Sequence, residues 1–370
     1  MKSFYKGKTV LVTGHTGFKG SWLTAWLKTL GANVIGYSLP PECEPSLFSA
    51  SRVEENITSV IDDVRTFPSL LEVFKSKKPE IVFHMAAQSL VRRSYLKPIE
   101  TYDTNVMGTV NVLEAIRQSS SVKVAVIITT DKCYENREWT YAYRENDPMG
   151  GHDPYSSSKA AAELVTSSYR NSFFNPDKYD EHKVSVSSVR AGNVIGGGDW
   201  SEDRLIPDCI RALANNETIS IRSPGSVRPW QFVLEPLSGY LWLALRMWEE
   251  PVKFPGAWNF GPTTDGNAPV RKIVEKVLKE WGSGEWQDLS AENKNAPHEA
   301  TLLALDCTKA ASLLKWKPTY TLEKSLEETT AWYRRYYVEK EFDALKYMEL
   351  QIESYHKTAF QLGIPWAVSD

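Results

Sequence analysis

Thr129-Thr130-Asp131-Lys132 and Tyr155-Ser-Ser-Ser-Lys159 are the two segments of this chain whose residue types can carry chemistry. Lys159 follows Tyr155 by four positions, so on a helix the two share one face, a turn apart. An ammonium placed there lowers the phenol pKa and lets Tyr155 act as a base toward a hydroxyl. Asp131, just past the apolar run Lys123–Thr129, adds a proton donor that a simple oxidation does not need. Together they predict a redox step coupled to a second proton transfer, such as loss of water.

Those residues need a frame that brings them to one place. Thr9–Thr13 is a short apolar run ending in a glycine loop, and Ser21–Leu30 then reads as a helix. Asn33–Tyr37, Ile57–Ile61, Glu80–His84 and Lys123–Thr129 follow as strands, with helical stretches between them. Repeating β-α-β units of this length predict an α/β fold with a Rossmann-type, doubly wound parallel sheet. Past Arg190 the pattern breaks into Gly/Pro-rich stretches such as Gly196–Trp200 and Arg222–Ser226. We therefore expect a first domain over residues 1–189. A smaller mixed α/β substrate-binding region is expected over 190–370, with segments free to return to the first.

Between the first strand and its helix lies Gly14-His-Thr-Gly17-Phe-Lys-Gly20. The first glycine permits a tight turn, the second lets backbone approach a pyrophosphate, and the third lets helix pack on strand. The phosphates would sit at the helix N-terminus, where free amides and the dipole favour negative charge. Dinucleotide binding is the expectation. An acid usually ends the second strand and holds the ribose of NAD, but Tyr37-Ser38-Leu39 stands there, with no acid until Glu42 and no adjacent Arg. NAD and NADP stay open on these residues, with Ser38 the candidate ribose contact. Asp63, after the third strand, could accept from the adenine amino group or form a solvated turn. Ala86, Ala87 and Gln88 follow the fourth strand, where small residues let a cofactor pass close. His84 before them reads as a core histidine. Asn105, in the expected helix Tyr102–Arg117, reads as a brace for the active-site helix or as a surface amide.

A net charge of -3 and a pI near 6.2 point to no nucleic-acid partner and no membrane surface. The four cysteines are widely spaced, so free thiols in a reducing cytoplasm are expected, and no metal. No signal peptide or apolar run of bilayer length is present, which again predicts a cytoplasmic protein. The 13 Trp and 17 Tyr suit stacking on a base or sugar, although core packing is their commoner use.

Gly14-x-x-Gly17-x-x-Gly20, His84-Met-Ala-Ala-Gln88, Asn105-x-x-Gly-Thr109, Tyr155-x-x-x-Lys159 and Arg190-x-x-Asn193 occur in that order. The chain thereby resembles the extended short-chain dehydrogenase/reductase superfamily, in the branch acting on nucleotide-diphosphate sugars. The similarity runs from the first strand to about Leu314-Lys-Trp316-Lys-Pro318. Within the branch, Thr130-Asp131 resembles the sugar 4,6-dehydratases, whereas 4-epimerases carry small hydroxyl residues there. Thr130–Glu135, Gly196–Trp200 with Arg204–Asp208, and Arg228–Val233 bring the resemblance to the dehydratases of CDP-glucose.

That resemblance implies NAD as cofactor, held by Gly14, Thr16, Gly17, Phe18, Gly20, Ser38, Asp63, Ala86, Ala87, Gln88, Asn105, Thr129, Tyr155 and Lys159. It implies Thr130, Asp131, Lys132, Tyr155 and Lys159 as catalytic residues, and Asn193, Leu205, Arg228 and His298 as substrate contacts. Ile206, Pro207 and Trp230 are further candidates to frame the base. The cytidine is implied by the resemblance alone, as are a homodimer through the helices carrying Asn105 and Tyr155 and a place in deoxysugar biosynthesis for surface polysaccharide. Many 4,6-dehydratases follow the Asp with a Glu that takes the C5 proton. Lys132 stands there instead, with Tyr134 and Glu135 as rival bases. A nucleotide-sugar 4-epimerase shares Tyr155, Lys159 and NAD but has no use for Asp131. A non-catalytic nicotinamide-sensing protein would be expected to have lost the Tyr/Lys pair.

Overall fold

The computed structural model describes residues 1–263, 266–292 and 302–368, and His298 lies outside them. Six strands alternate with helices along the first half of the chain: β1 (Thr9–Thr13), β2 (Asn33–Ser38), β3 (Thr58–Ile61), β4 (Ile81–His84), β5 (Val124–Ile128) and β6 (Ser185–Ala191). Those near the middle of the sheet are almost entirely apolar, as strands covered by helices on both faces must be. Three further strands, β7 (Asn193–Ile195), β8 (Ile219–Ile221) and β9 (Val227–Phe232), precede β10 (Gly256–Phe260), which rejoins the sheet beside β6. The order is β10-β6-β5-β4-β1-β2-β3, parallel at every step. The strand order reverses between β1 and β4, where a doubly wound sheet opens a crevice at its carboxyl edge.

The boundary expected at residue 189 falls inside β6. Past it, β7 and β9 join β11 (Asn267–Pro269) in a small sheet, and β8 pairs with β12 (Trp286–Asp288). The tryptophans serve packing more than stacking on a ligand: Trp22, Trp26, Trp258, Trp316, Trp332 and Trp366 are all fully buried.

Two elements differ from the sequence expectation. Helix α1 (Phe18–Thr29) starts three residues before Ser21, directly after Gly17. Gly20 fits in its first turn because a Cβ there would sit 2.0 Å from the Gly14 carbonyl oxygen. The expected helix Tyr102–Arg117 is broken into Pro98–Tyr102, a wide π-turn at Asp103–Met107, and α2 (Gly108–Arg117). Such wide turns frequently occur at functional sites. Here the turn carries Asn105, which is buried.

His84 is the core histidine expected. Its Nδ1 lies 2.7 Å from Thr13 Oγ1 and its Nε2 3.1 Å from Thr109 Oγ1, tying β1, β4 and α2 together. Burial and the charge of Lys159 lower its pKa to about 3. His15 packs over β2, where a Cβ on Gly36 would meet its ring at 2.2 Å. Gly36→Ala is therefore expected to destabilise the fold by about 1–3 kcal/mol, the usual range for an overpacked core. Thermal melts of the two proteins read this directly, and an unchanged melting temperature would show that the His15 ring moves aside freely.

Candidate active site

A cavity of about 1090 Å³ opens at the carboxyl edge of the sheet and is lined from both halves of the chain. Single small-molecule pockets run to roughly 300–1,000 Å³, so this one has room for more than one ligand. Among the expected site residues within the described structure, all but Asn105 and Lys159 border it.

One end is built by the glycine loop. Gly14 adopts φ +77, and a Cβ there would meet the Ala86 backbone nitrogen at 2.7 Å. Gly17 is the extended residue that begins α1, and its added Cβ would meet only the Gly14 carbonyl oxygen, at 3.4 Å. The first-turn amides of α1 thus border the cavity with no side chain capping them, as a diphosphate requires. Thr16 Oγ1 sits 2.9 Å from Ser38 Oγ and donates to the Leu39 carbonyl at 2.8 Å, which fixes the end of β2. Asp63 is held by Arg65, whose Nε donates to Oδ2 at 2.8 Å and whose backbone nitrogen donates to Oδ1 at 2.9 Å. Burial opposes its ionisation, but Arg65 holds its pKa below the usual carboxylate value.

Gln88 borders the cavity while its amide shapes the loop. It donates to Leu90 O and Thr101 Oγ1 and accepts from Leu90 N at 2.6 Å. Asn105 is placed as a brace behind the cavity wall. Its Oδ1 accepts from Gln88 N at 2.8 Å, and its Nδ2 donates to Gln88 O and Ser158 Oγ. It therefore locks the loop after β4 to the helix that carries Tyr155.

That helix, α3 (Pro154–Ser172), starts where it does because Asp153 accepts from Ser156 N at 2.9 Å and Pro154 suits the first turn. Across from it, Thr130 caps the short turn Asp131–Cys133 that follows β5. Thr130 Oγ1 donates to Asp131 Oδ1 at 3.0 Å, while Asp131 Oδ2 is buried with no hydrogen-bond partner among the described residues. Gly192 leaves it space, since a Cβ there would lie 3.1 Å from Oδ2. Burial raises the Asp131 pKa against the opposing pull of Lys132, Thr130 and Arg228. Its neutral, proton-donating form thereby persists to higher pH than that of an exposed aspartate.

The electrostatics of Tyr155 differ from the expectation. Burial pushes its pKa up to about 12, and what opposes this is the Thr130 hydroxyl and the Arg204 charge rather than Lys159. Lys159 Nζ instead donates to the Ile128 carbonyl at 3.1 Å, beneath the cavity wall. Its own pKa falls to about 7 through burial and repulsion from Lys19, with Glu163 opposing. Thr129 borders the cavity, but its hydroxyl is turned to Glu163 Oε1 at 2.5 Å.

Sequence reasoning missed Lys19, which lines the cavity inside the quoted glycine loop, and Arg204, which appeared only as part of a motif. Arg204 donates to Asp199 Oδ2 and to Ser89 Oγ, each at 3.1 Å, so it spans the two halves of the wall. It also missed the buried Glu163–Arg190 pair, although Glu163 stands one turn beyond Lys159. Of the rival bases, Tyr134 is committed: its hydroxyl donates to Asn259 Oδ1 at 2.7 Å and accepts from Arg190 at 2.6 Å. Glu135 lies at the rim, 3.6 Å from Arg137. Lys132 is half-buried in the wall. Asn193, Leu205 and Arg228 line the far end, where Arg228 Nη1 donates to its neighbour Val227 O at 3.0 Å. Trp230 also lines that end, although its indole nitrogen is fixed to Ala268 O at 3.0 Å.

Sequence comparison matches the GDP-mannose 4,6 dehydratase family over residues 11–329. The chain belongs to that family. The match takes in every motif from Gly14 to Trp316, so the resemblance drawn from those motifs stands. Among individual relatives of this family member, the CDP-glucose 4,6-dehydratase of Salmonella typhimurium is 54% identical over 333 residues, covering 90% of this chain and 92% of that protein. The dTDP-glucose 4,6-dehydratase of Haemophilus influenzae is 27% identical over 346 residues, covering 88% and 97%. Among solved structures, dTDP-glucose 4,6-dehydratase from Bacillus anthracis in complex with NAD superposes with a TM-score of 0.74. It is 23% identical and covers 92% of this chain and 100% of that one, a likeness that establishes the common fold.

Proposed function

We propose that this chain converts CDP-glucose to CDP-4-keto-6-deoxyglucose with NAD as a cofactor restored in each cycle. The observation that carries the reading is the buried Asp131 carboxyl, with Oδ2 unpartnered among the described residues, bordering the same cavity as the Tyr155 phenol. An oxidation or a 4-epimerisation has no use for that acid; an elimination does. The 54% identity to a CDP-glucose 4,6-dehydratase supports the cytidine and the class of reaction. The division of labour we infer gives the cofactor to residues 1–189 and the nucleotide sugar mainly to segments of 190–370.

The chemistry that bound NAD supplies is hydride acceptance at the sugar C4 and hydride return to C6. The glycine loop, Ser38 and Asp63 would hold it, with Lys159 below and Ala86 and Ala87 leaving room alongside. Thr130 aligns the sugar O4 hydroxyl, and Tyr155 removes its proton as C4 is oxidised. The resulting ketone acidifies the C5 hydrogen, because the carbanion delocalises onto O4. Lys132, directly or through a water, takes that proton, and Asp131 protonates the departing O6. Water leaves, and the proton held at Lys132 returns to C5 as C6 is reduced. Asn193, Leu205 and Arg228 bind the nucleotide diphosphate, Arg228 by its bidentate fork.

Lys132→Ala is expected to keep C4 ketone formation and to slow exchange of the C5 hydrogen by about 10²–10⁴-fold, the usual range for a positioned proton-transfer group. Deuterium incorporation in heavy water checks this, and exchange at the wild-type rate would move the role to Glu135. For the reaction as a whole, CDP-, dTDP-, GDP- and UDP-glucose are each incubated with enzyme and NAD in heavy water and weighed by mass spectrometry. A CDP sugar lighter by one water and deuterated at C5 is the expected result. Water loss from another nucleotide instead would discard the cytidine, and glucose converted to galactose would make the enzyme an epimerase.

We also infer a homodimer. Leu96, Ile99, Met107 and Leu164 are 79%, 85%, 47% and 61% exposed, on neighbouring segments that include α3. An apolar face of this kind favours a second copy, and light scattering of Ile99→Glu/Leu164→Glu should find the monomer. Among the described residues no helix is long and apolar enough to cross a membrane. The four cysteines are unpaired, which supports a cytoplasmic setting.

A further inference from the structure

We infer that the Lys19 ammonium binds a phosphate oxygen of a diphosphate held in the cavity. Resting on the dehydratase reading above, this contact adds a side-chain cation to what the glycine loop's backbone supplies. Lys19 stands in the first turn of α1 and is the only charged residue among Phe18–Ser21. Gly17 begins that helix without a side-chain cap, and no acid follows in the first turn. A cation is unfavourable there, because the helix dipole puts partial positive charge at the same end. The Lys19 side chain is nevertheless half-buried at this end and borders the cavity.

Arginines lining the same cavity are already matched with carboxylates. Arg65 meets Asp63 at 2.5 Å, Arg93 meets Glu42 at 2.9 Å and Arg204 meets Asp199 at 3.1 Å. Arg92 and Arg222 share Asp203, at 2.9 and 3.4 Å. Lys19 differs from all of these. Among the described residues its ammonium makes no hydrogen bond and no ion pair. Asp131 attracts it without closing the gap, since Asp131 Oδ2 has no hydrogen-bond partner among the described residues. Arg204 repels it, and it in turn repels Lys159.

An unpaired cation set among other cations, at the positive end of a helix, is costly on its own. An anion in the cavity removes that cost, and the free amides of α1 donate to it as well. A diphosphate is the anion that both ligands of the proposed reaction carry. Burial and Arg204 lower the Lys19 pKa to about 8 against the pull of Asp131, so the side chain stays mostly charged at neutral pH. The glycine loop puts Lys19 on the cofactor side of the cavity, whereas Asp131 and Arg204 draw its ammonium into the field of the sugar side. The diphosphate is therefore that of NAD, that of the nucleotide sugar, or both in turn, and the two sources are separated by experiment.

Equilibrium binding to the wild type, Lys19→Met and Lys19→Arg provides the test. NAD is titrated into enzyme freed of cofactor and CDP into NAD-loaded enzyme, with adenosine and cytidine measured as competitors on each arm. Lys19→Met is expected to weaken NAD, CDP or both by about 10–100-fold, the range for a hydrogen bond to a charged group, and to leave both nucleosides within about twofold of wild type. Lys19→Arg keeps a cation able to reach phosphate and should recover most of the affinity. Loss on NAD alone assigns the ammonium to the cofactor's diphosphate, loss on CDP alone to that of the nucleotide sugar, and loss on both to a place between them. The melting temperature of ligand-free Lys19→Met should hold or rise, because the cation it removes opposes the helix dipole. A lowered melting temperature would instead assign Lys19 to the fold. Diphosphate binding by Lys19 is overturned by that result, by NAD and CDP both binding within about twofold of wild type, by nucleosides weakened as much as their diphosphates, or by an arginine variant as weak as the methionine one. A wild-type enzyme that ignores CDP would refute the cytidine reading, and the substrate arm is then decided with whichever of dTDP, UDP or GDP binds, against its own nucleoside.

Discussion

Asp131→Asn leaves an enzyme that oxidises its sugar and then stalls. Asparagine keeps the shape of the turn and can still accept from Thr130, but it has no acidic proton for the departing O6. Overall turnover is expected to fall about 10²–10⁴-fold, the range for loss of a positioned general acid. Earlier steps survive, so the C4 ketone should form and be trapped by borodeuteride, and the C5 hydrogen should still exchange in heavy water. The pH profile supplies a second signature. Because burial raises the Asp131 pKa, the carboxyl stays protonated to higher pH than an ordinary aspartate and loses its proton as pH rises further. Wild-type elimination should therefore have an alkaline limb assigned to this group, absent from what activity the asparagine variant retains. If that variant dehydrates within a few-fold of wild type, the acid lies elsewhere and the elimination assigned to this cavity loses its main support.

Tyr155→Phe should fail one step earlier. The phenol is the group that takes the O4 proton, and nothing downstream starts without the ketone. A loss of about 10³–10⁴-fold is expected in turnover, at the upper end for proton-transfer catalysis because C5 acidification depends on it. Neither a trapped ketone nor C5 exchange should be detectable, which separates this variant from Asp131→Asn without reference to the final product. With a phenol pKa pushed up to about 12 by burial, the wild-type rate of C4 oxidation should climb with pH as the tyrosinate fraction grows. Arg204 is the cation that opposes that rise in the structure, so Arg204→Met should displace the dependence to higher pH. A phenylalanine variant that still forms ketone would leave Lys159 or a water as the base.

Recognition from motifs reached the site because chemistry that must meet a cofactor and a sugar is concentrated in short runs at the ends of strands. Gly14–Gly20, Ala86–Gln88 and Thr129–Lys132 each follow a strand, and alternating apolar runs marked those strands plainly. Asn105 was harder. Sequence periodicity ran a single helix through it, and only the π-turn reveals why its amide points inward to Gln88 and Ser158. Glu163 and Arg190 were less visible still. A glutamate on a helix is usually a solvated one, and no local pattern announces that its partner stands on a strand.

The sequence by itself determined the alternating architecture, the glycine loop and the order of the acid, the phenol and the lysine. Those features depend on residue type and local spacing, which the chain carries directly. Only the tertiary structure decided which cation faces Tyr155, that Asp131 Oδ2 is left without a partner among the described residues, and that Lys159 lies under the wall rather than in it. Each of these depends on burial and on distances between residues far apart in the chain, such as Arg204 with Ser89 and Asp131 with Gly192. Desolvation and charge both act through space, so their effect on a pKa is set when the chain closes around the site.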